Sequence, residues 1–157
     1  MNLTALYNLF NGILRPIDAL HPTSTTNWKV LSFEVGYLHE LNTQQVDFPT
    51  LLMLPPKDHQ ATPRVKGTRT YDLRYFLIAL DKNTAGESPC NAAERMTVWD
   101  TLTAKNRSII EALNAANTSC QINGSVTEDR NSGGGDQIIS DRVLWLDVTM
   151  TLSTNDC

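Results

Sequence analysis

Residues 68–81, TRTYDLRYFLIALD, place Leu73, Tyr75, Leu77 and Ala79 on one side of an extended chain and Phe76, Ile78 and Leu80 on the other. The second half of this run is apolar on both sides, the pattern of a central strand covered by packed layers on both faces. A second long run, VLWLDVTMTL (143–152), alternates without a break. Leu144, Leu146, Val148, Met150 and Leu152 face one way, and Trp145, Asp147, Thr149 and Thr151 face the other. These two segments predict a sheet, and the remaining elements are read around it.

Upstream, WKVLSFEVGYLHEL (28–41) puts Leu31, Phe33, Val35 and Tyr37 on one face, which predicts a strand with that face buried. TLLMLPP (50–56) predicts a short strand stopped by Pro55 and Pro56, which have no N–H to give to a ladder. Leu3, Leu6, Tyr7, Phe10, Leu14 and Ile17 recur at helical spacing, so the chain opens with an amphipathic helix limited by Pro16 and Pro22. Asn91 and Glu94 form an N-x-x-E capping pattern ahead of Met96, Trp99, Leu102, Ile109, Leu113 and Ala116. That pattern predicts a helix over about 91–117. SCQINGSVTE (119–128) reads as a strand, and the Gly133-Gly134-Gly135 triplet as part of a flexible loop. The predicted order is α-β-β-β-α-β-β: an α+β fold with a mostly antiparallel sheet packed by an N-terminal helix and one long central helix.

With 157 residues the chain fits one domain, 1–157, with long loops near 55–68 and 128–141. A core at this size stands without metal or disulfide. The net charge of −4 disfavours the counterion release that drives tight, sequence-specific nucleic-acid binding. Only 19% of residues are charged, and 18 Thr and 13 Asn supply much of the polar surface instead. Cys90, Cys120 and Cys157 are odd in number and lack ligand spacing, so they read as reduced thiols. The N-terminal stretch is apolar, but its first cation, Arg15, follows the apolar run, unlike a secretory signal. No run reaches the ~20 apolar residues a membrane span needs.

Chemical motifs are sparse. His21, His39 and His59 stand apart with no zinc-type pattern, and Asn123-Gly124-Ser125-Val126 lacks the second glycine of a nucleophile elbow. No phosphate-loop pattern surrounds the glycine triplet. Cys90 lies at a helix start, where the dipole would lower its pKa, and reads either as a reactive thiol or as a small buried residue at the cap. Trp145 falls on the face opposite the leucine stripe. It therefore packs under a second layer, such as the N-terminal helix, or belongs to an interface.

Two regions carry opposite charge. Between Lys57 and Arg74, five cations (Lys57, Arg64, Lys66, Arg69 and Arg74) stand against Asp58 and Asp72. Between Glu128 and Asp147, five anions (Glu128, Asp129, Asp136, Asp141 and Asp147) stand against Arg130 and Arg142. Two solvated loops are the simpler reading. The sharper one is a contact in which the basic region of one subunit meets the acidic region of the next, as in head-to-tail rings.

An N-terminal helix, a strand at FPTLLMLPP (48–56), a long strand at 68–83, a helix with Glu94-Arg95 and Trp99, and a final strand beginning DRVLWLDVTMTL (141–152) resemble one known group. The chain is similar in element order to the tail terminator and tail-completion (neck) proteins of tailed bacteriophages. The resemblance implies a virion structural protein: a homo-oligomeric ring, usually sixfold, between tail tube and head connector or stopper proteins. It implies assembly in the host cytoplasm, DNA passing through the lumen, and no enzymatic activity, metal or cofactor. The loops at 55–68 and 128–141 are longer than a minimal member needs. Competing readings are a small enzyme using scattered residues such as Cys90, His59 and Asp72, and a monomeric ligand-binding domain.

Overall fold

The computed structural model describes residues 2–41, 45–59, 68–82, 89–116, 127–136 and 142–155. Helix α1 spans Leu3–Leu14 and is capped by Asn2, whose Oδ1 accepts from the Ala5 N–H at 2.8 Å. Strands β1 (Ser32–Val35), β2 (Thr50–Met53), β3 (Lys57–His59) and β4 (Thr68–Leu80) follow. After them come the long helix α2 (Ala92–Ala116) and strands β5 (Thr127–Asp136) and β6 (Arg142–Asn155). The expected α+β architecture is present, with one mixed sheet in the order β1-β2-β4-β6-β5. Strand β1 runs parallel to β2, and every other pairing is antiparallel.

Strand β4 organises the sheet because it is long and apolar on both sides. It pairs with β6 along its whole length, Thr68 opposite Asn155 through Leu80 opposite Val143. Its other side is shared by β2 and β3, which pair with different halves of it. Met53 faces Tyr75 but Lys57 faces Asp72, so the β2–β3 segment carries one extra residue at Leu54-Pro55-Pro56. The two prolines sit at this bulge, where a missing N–H is tolerated. The predicted stop at Pro55 is thus a kink, and the expected loop over 55–68 begins instead with strand β3; residues 60–67 lie outside the described residues.

One face of the sheet carries the main core. Tyr71, Leu73, Tyr75 and Leu77 of β4 and Leu146, Val148, Met150 and Leu152 of β6 pack against Leu6, Phe10 and Leu14 of α1 and Leu102, Ile109 and Leu113 of α2. Among the described residues the opposite face is covered at one end, where Leu41, Leu52, Phe76, Ile78 and Val143 pack with Leu38, Val46 and Phe48 of the β1–β2 connection.

Helix α2 begins as its capping pattern predicts. The Asn91 side chain accepts from the Glu94 N–H at 2.9 Å, and the Glu94 carboxylate accepts from the Asn91 N–H at 3.3 Å. The cap contributes ~1 kcal/mol, whereas three fully buried apolar side chains contribute ~2 kcal/mol each. Packing therefore holds the helix, and the cap sets where it starts.

Four expectations need correction. In β1 only Phe33 is buried, stacked against Tyr7 at 5.1 Å, while Val35 and the flanking Leu31 and Tyr37 are exposed. Met96 is exposed on α2, before the helix meets the sheet, and Ile17 lies exposed beyond α1. The glycine triplet is not in a loop: residues 127–136 form β5, held by a continuous ladder to β6 from Thr127–Thr151 to Asp136–Arg142. The predicted loop over 128–141 is therefore mostly strand; residues 137–141 lie outside the described residues, as does most of the predicted strand over 119–128.

Candidate functional site

The described parts of the two charged regions lie on different strands of one sheet, with Lys57 and Asp58 in β3 and Glu128, Asp129 and Asp136 in β5. Lys57 is exposed in β3, at the edge beside β4. Glu128, Asp129 and Asp136 lie in β5, at the other edge, paired through their backbones with Met150, Thr149 and Arg142. Strands β4 and β6 separate these edges, so they stand about 14 Å apart at the usual strand spacing. Arg69 sits in β4 opposite Thr154 of β6. Arg64, Lys66 and Asp141 lie outside the described residues.

Part of the charge complementarity expected between subunits is used within one chain. Arg74 donates to Asp147 through two bonds, Nε to Oδ1 at 3.0 Å and a terminal nitrogen to Oδ2 at 2.7 Å. The β4–β6 register creates this pair, since Arg74 lies opposite Thr149 and Asp147 is its diagonal neighbour on the same face. The fork of an arginine on a carboxylate is the strong form of such a pair, and it removes one cation and one anion from any contact with a neighbour. Asp72 likewise accepts from the Thr151 hydroxyl at 3.3 Å.

Trp145 lies half-buried on the face opposite the helices, packed against the second cluster, so the N-terminal helix does not cover it as expected. Its indole meets Phe76 edge-on, with centroids 6.0 Å apart, and Arg74 lies over the Phe76 ring at 5.2 Å. Gly133, directly across the ladder from Trp145, makes room for it: a Cβ there would stand 2.5 Å from the indole nitrogen. The Gly133 carbonyl in turn accepts from Trp99 of α2 at 3.1 Å. A glycine that read as loop is the point where the edge strand touches both the helix layer and the tryptophan.

At the far end of β4, Asp81 is buried and holds three groups together. Arg95 donates to both carboxylate oxygens, at 3.3 and 2.9 Å, the Cys90 N–H donates at 3.1 Å, and Arg142 stands 3.8 Å away. Burial by itself would raise the Asp81 pKa, but the hydrogen bonds from Arg95 and Cys90 and the Arg95 charge hold it below the usual carboxylate value. Cys90 is buried, and its thiol donates to the Lys82 carbonyl at 3.0 Å. Burial, then the neighbouring Asp81, then the Glu94 charge push its pKa up, and Arg95 offsets this only in part. The helix start does not produce a thiolate here, and Cys90 is a small buried residue at the cap.

The scattered trio Cys90, His59 and Asp72 is not brought together. Cys90 is bonded to Asp81, nine residues along β4 from Asp72, a separation of about 30 Å at the rise of a strand. His59 pairs with Thr70 at the Asp72 end. His39 approaches Glu40 at 3.8 Å, and His21 is exposed. Among the described residues no group of three His, Cys, Asp or Glu side chains is placed to hold a metal ion. No helix among them is long and apolar enough to cross a membrane.

Sequence reasoning missed Asp81, Asn106 and Gly133. Asn106 occupies a core position of α2, one turn after Leu102, and accepts from the Tyr75 hydroxyl inside the core. The available signal was a polar residue at helical spacing facing a strand that carries a buried tyrosine. No protein-family model matches the chain, and no curated protein matches it in sequence.

Proposed function

We propose that this chain is a virion structural subunit, a tail terminator or neck protein that assembles head to tail into a ring between the tail tube and the head connector of a tailed bacteriophage. The observation that carries the reading is the strand order, which sets the acidic β5 at one edge and β3, the start of the basic run at Lys57, at the other. A contact between unlike surfaces generates a ring whenever its rotation closes, and two edges of one rigid sheet supply such surfaces. The element order that resembles this family supports the same reading. So does the net charge of −4, which would repel a passing genome from the lumen rather than grip it.

A contact between opposite charges of this kind weakens as salt screens them. Reversing the basic side with Arg64→Glu and Lys66→Glu should lower the oligomer mass measured by light scattering at low salt. An unchanged mass would reject the assignment of that region to the contact.

A further inference from the structure

Strand β1 ends the sheet on the side opposite β5, and among the described strands it pairs only with β2. Gly36 donates inward to the Met53 carbonyl at 3.0 Å. In the Ser32–Val35 register with Thr50–Met53, the alternation of a parallel ladder then turns the N–H and C=O groups of Phe33 and Val35 away from β2, toward the open edge.

Two different surfaces flank that edge. On the helix side, Leu3 and Tyr7 of α1 and Val35, Met53 and Pro55 line an apolar cleft of about 450 Å³. Leu3, Tyr7 and Val35 are 55%, 42% and 47% exposed there, although all three are large apolar side chains. On the other face a cleft of about 260 Å³ opens beside β1, and its two charged lining residues, Glu34 and Glu40, are both acidic.

We propose that the β1 edge accepts an extended segment of a partner protein as an added strand, one in which apolar and basic side chains alternate. Successive side chains of such a strand point to opposite faces. One set therefore enters the apolar cleft beside Val35, and the other meets Glu34 and Glu40. The outward groups of Phe33 and Val35 supply the backbone pairing, and the two faces select the sequence. This site does not depend on the ring: it uses β1, whereas the head-to-tail contact uses β3 and β5.

The test titrates the full-length protein with three short capped peptides: one alternating valine and lysine, one alternating valine and glutamate, and one with the valines and lysines in separate blocks. The valine–lysine peptide should bind about tenfold more tightly than the valine–glutamate peptide, the size expected when opposite charges across a strand become like charges. Hydrogen exchange at the Phe33 and Val35 amides should slow in the complex. Glu34→Lys should reverse the preference, and Val35→Asp should remove saturable binding while the melting temperature stays near that of the parent, because both positions are exposed. Absence of saturable binding, equal binding of the alternating and block peptides, or protection confined to amides outside β1 would overturn the proposal. A concentration-dependent dimer that protects the Phe33 and Val35 amides and is lost in Val35→Asp would also overturn it, by giving the edge to a second copy.

Discussion

Asp81 shows how a single buried carboxylate ties three elements together. It closes β4, caps the chain at Cys90 and anchors the first turn of α2 through Arg95. Replacing it by alanine leaves the Cys90 N–H and the Arg95 guanidinium without their acceptor, a loss of about 3 kcal/mol measurable by urea unfolding. Its pKa is lower in the fold than in the unfolded chain, so its contribution is complete above the unfolded value near 4 and disappears as pH falls through the folded value. The parent protein should therefore lose stability below about pH 4 more steeply than Asp81→Asn. Parallel melting curves for the two proteins across that range would contradict the role. Gly133 makes a second residue-scale prediction. Gly133→Ala drives a Cβ into the Trp145 ring and should cost about 1–3 kcal/mol, and Trp145→Leu in the same chain should return part of that loss.

The elements differ in how much of them could be read. The α2 start was legible because a capping box is a local pattern, and Asn91→Ala should cost ~1 kcal/mol in thermal or urea unfolding, with no cost expected from a variant such as Thr101→Ala on the exposed face. Strand β4 was legible because its alternation is strong enough to survive without knowing its partners. Strand β5 was not, since TEDRNSGGGD has neither β-branched enrichment nor alternation. It is a strand because the 14-residue β6 offers a ladder longer than its own hairpin needs, and because Gly133 fits beneath Trp145. Strand β3 was hidden for a similar reason, as three charged or polar residues after a proline pair carry no strand signal of their own. The Arg74–Asp147 pair could not be foreseen from residues 73 apart in sequence, because it exists only in one register of β4 against β6.

At the scale of the whole molecule, the fold sets β3, with Lys57 and Asp58, at one edge and the acidic β5 at the other edge of a sheet whose middle is buried by two helices. The exposed surface of the sheet's second face is polar toward the Asp72–Thr151 end and apolar toward Leu52 and Ile78, where the β1–β2 connection covers it. What the edges do was only half legible in the sequence. The charged runs were visible, but their separation by β4 and β6, and the loss of Arg74 and Asp147 to an internal pair, follow from the strand order. The head-to-tail contact is tested most directly by native mass measurement at low salt on four proteins. These are the parent, a basic-side reversal (Arg64→Glu, Lys66→Glu), an acidic-side reversal (Glu128→Lys, Asp129→Lys), and the chain carrying all four changes. The parent and the fourfold variant should assemble to the same mass and each one-sided reversal should fall to smaller species, because swapping both sides restores the complement. One mass shared by all four proteins, or a fourfold variant no more assembled than the one-sided reversals, would contradict the contact.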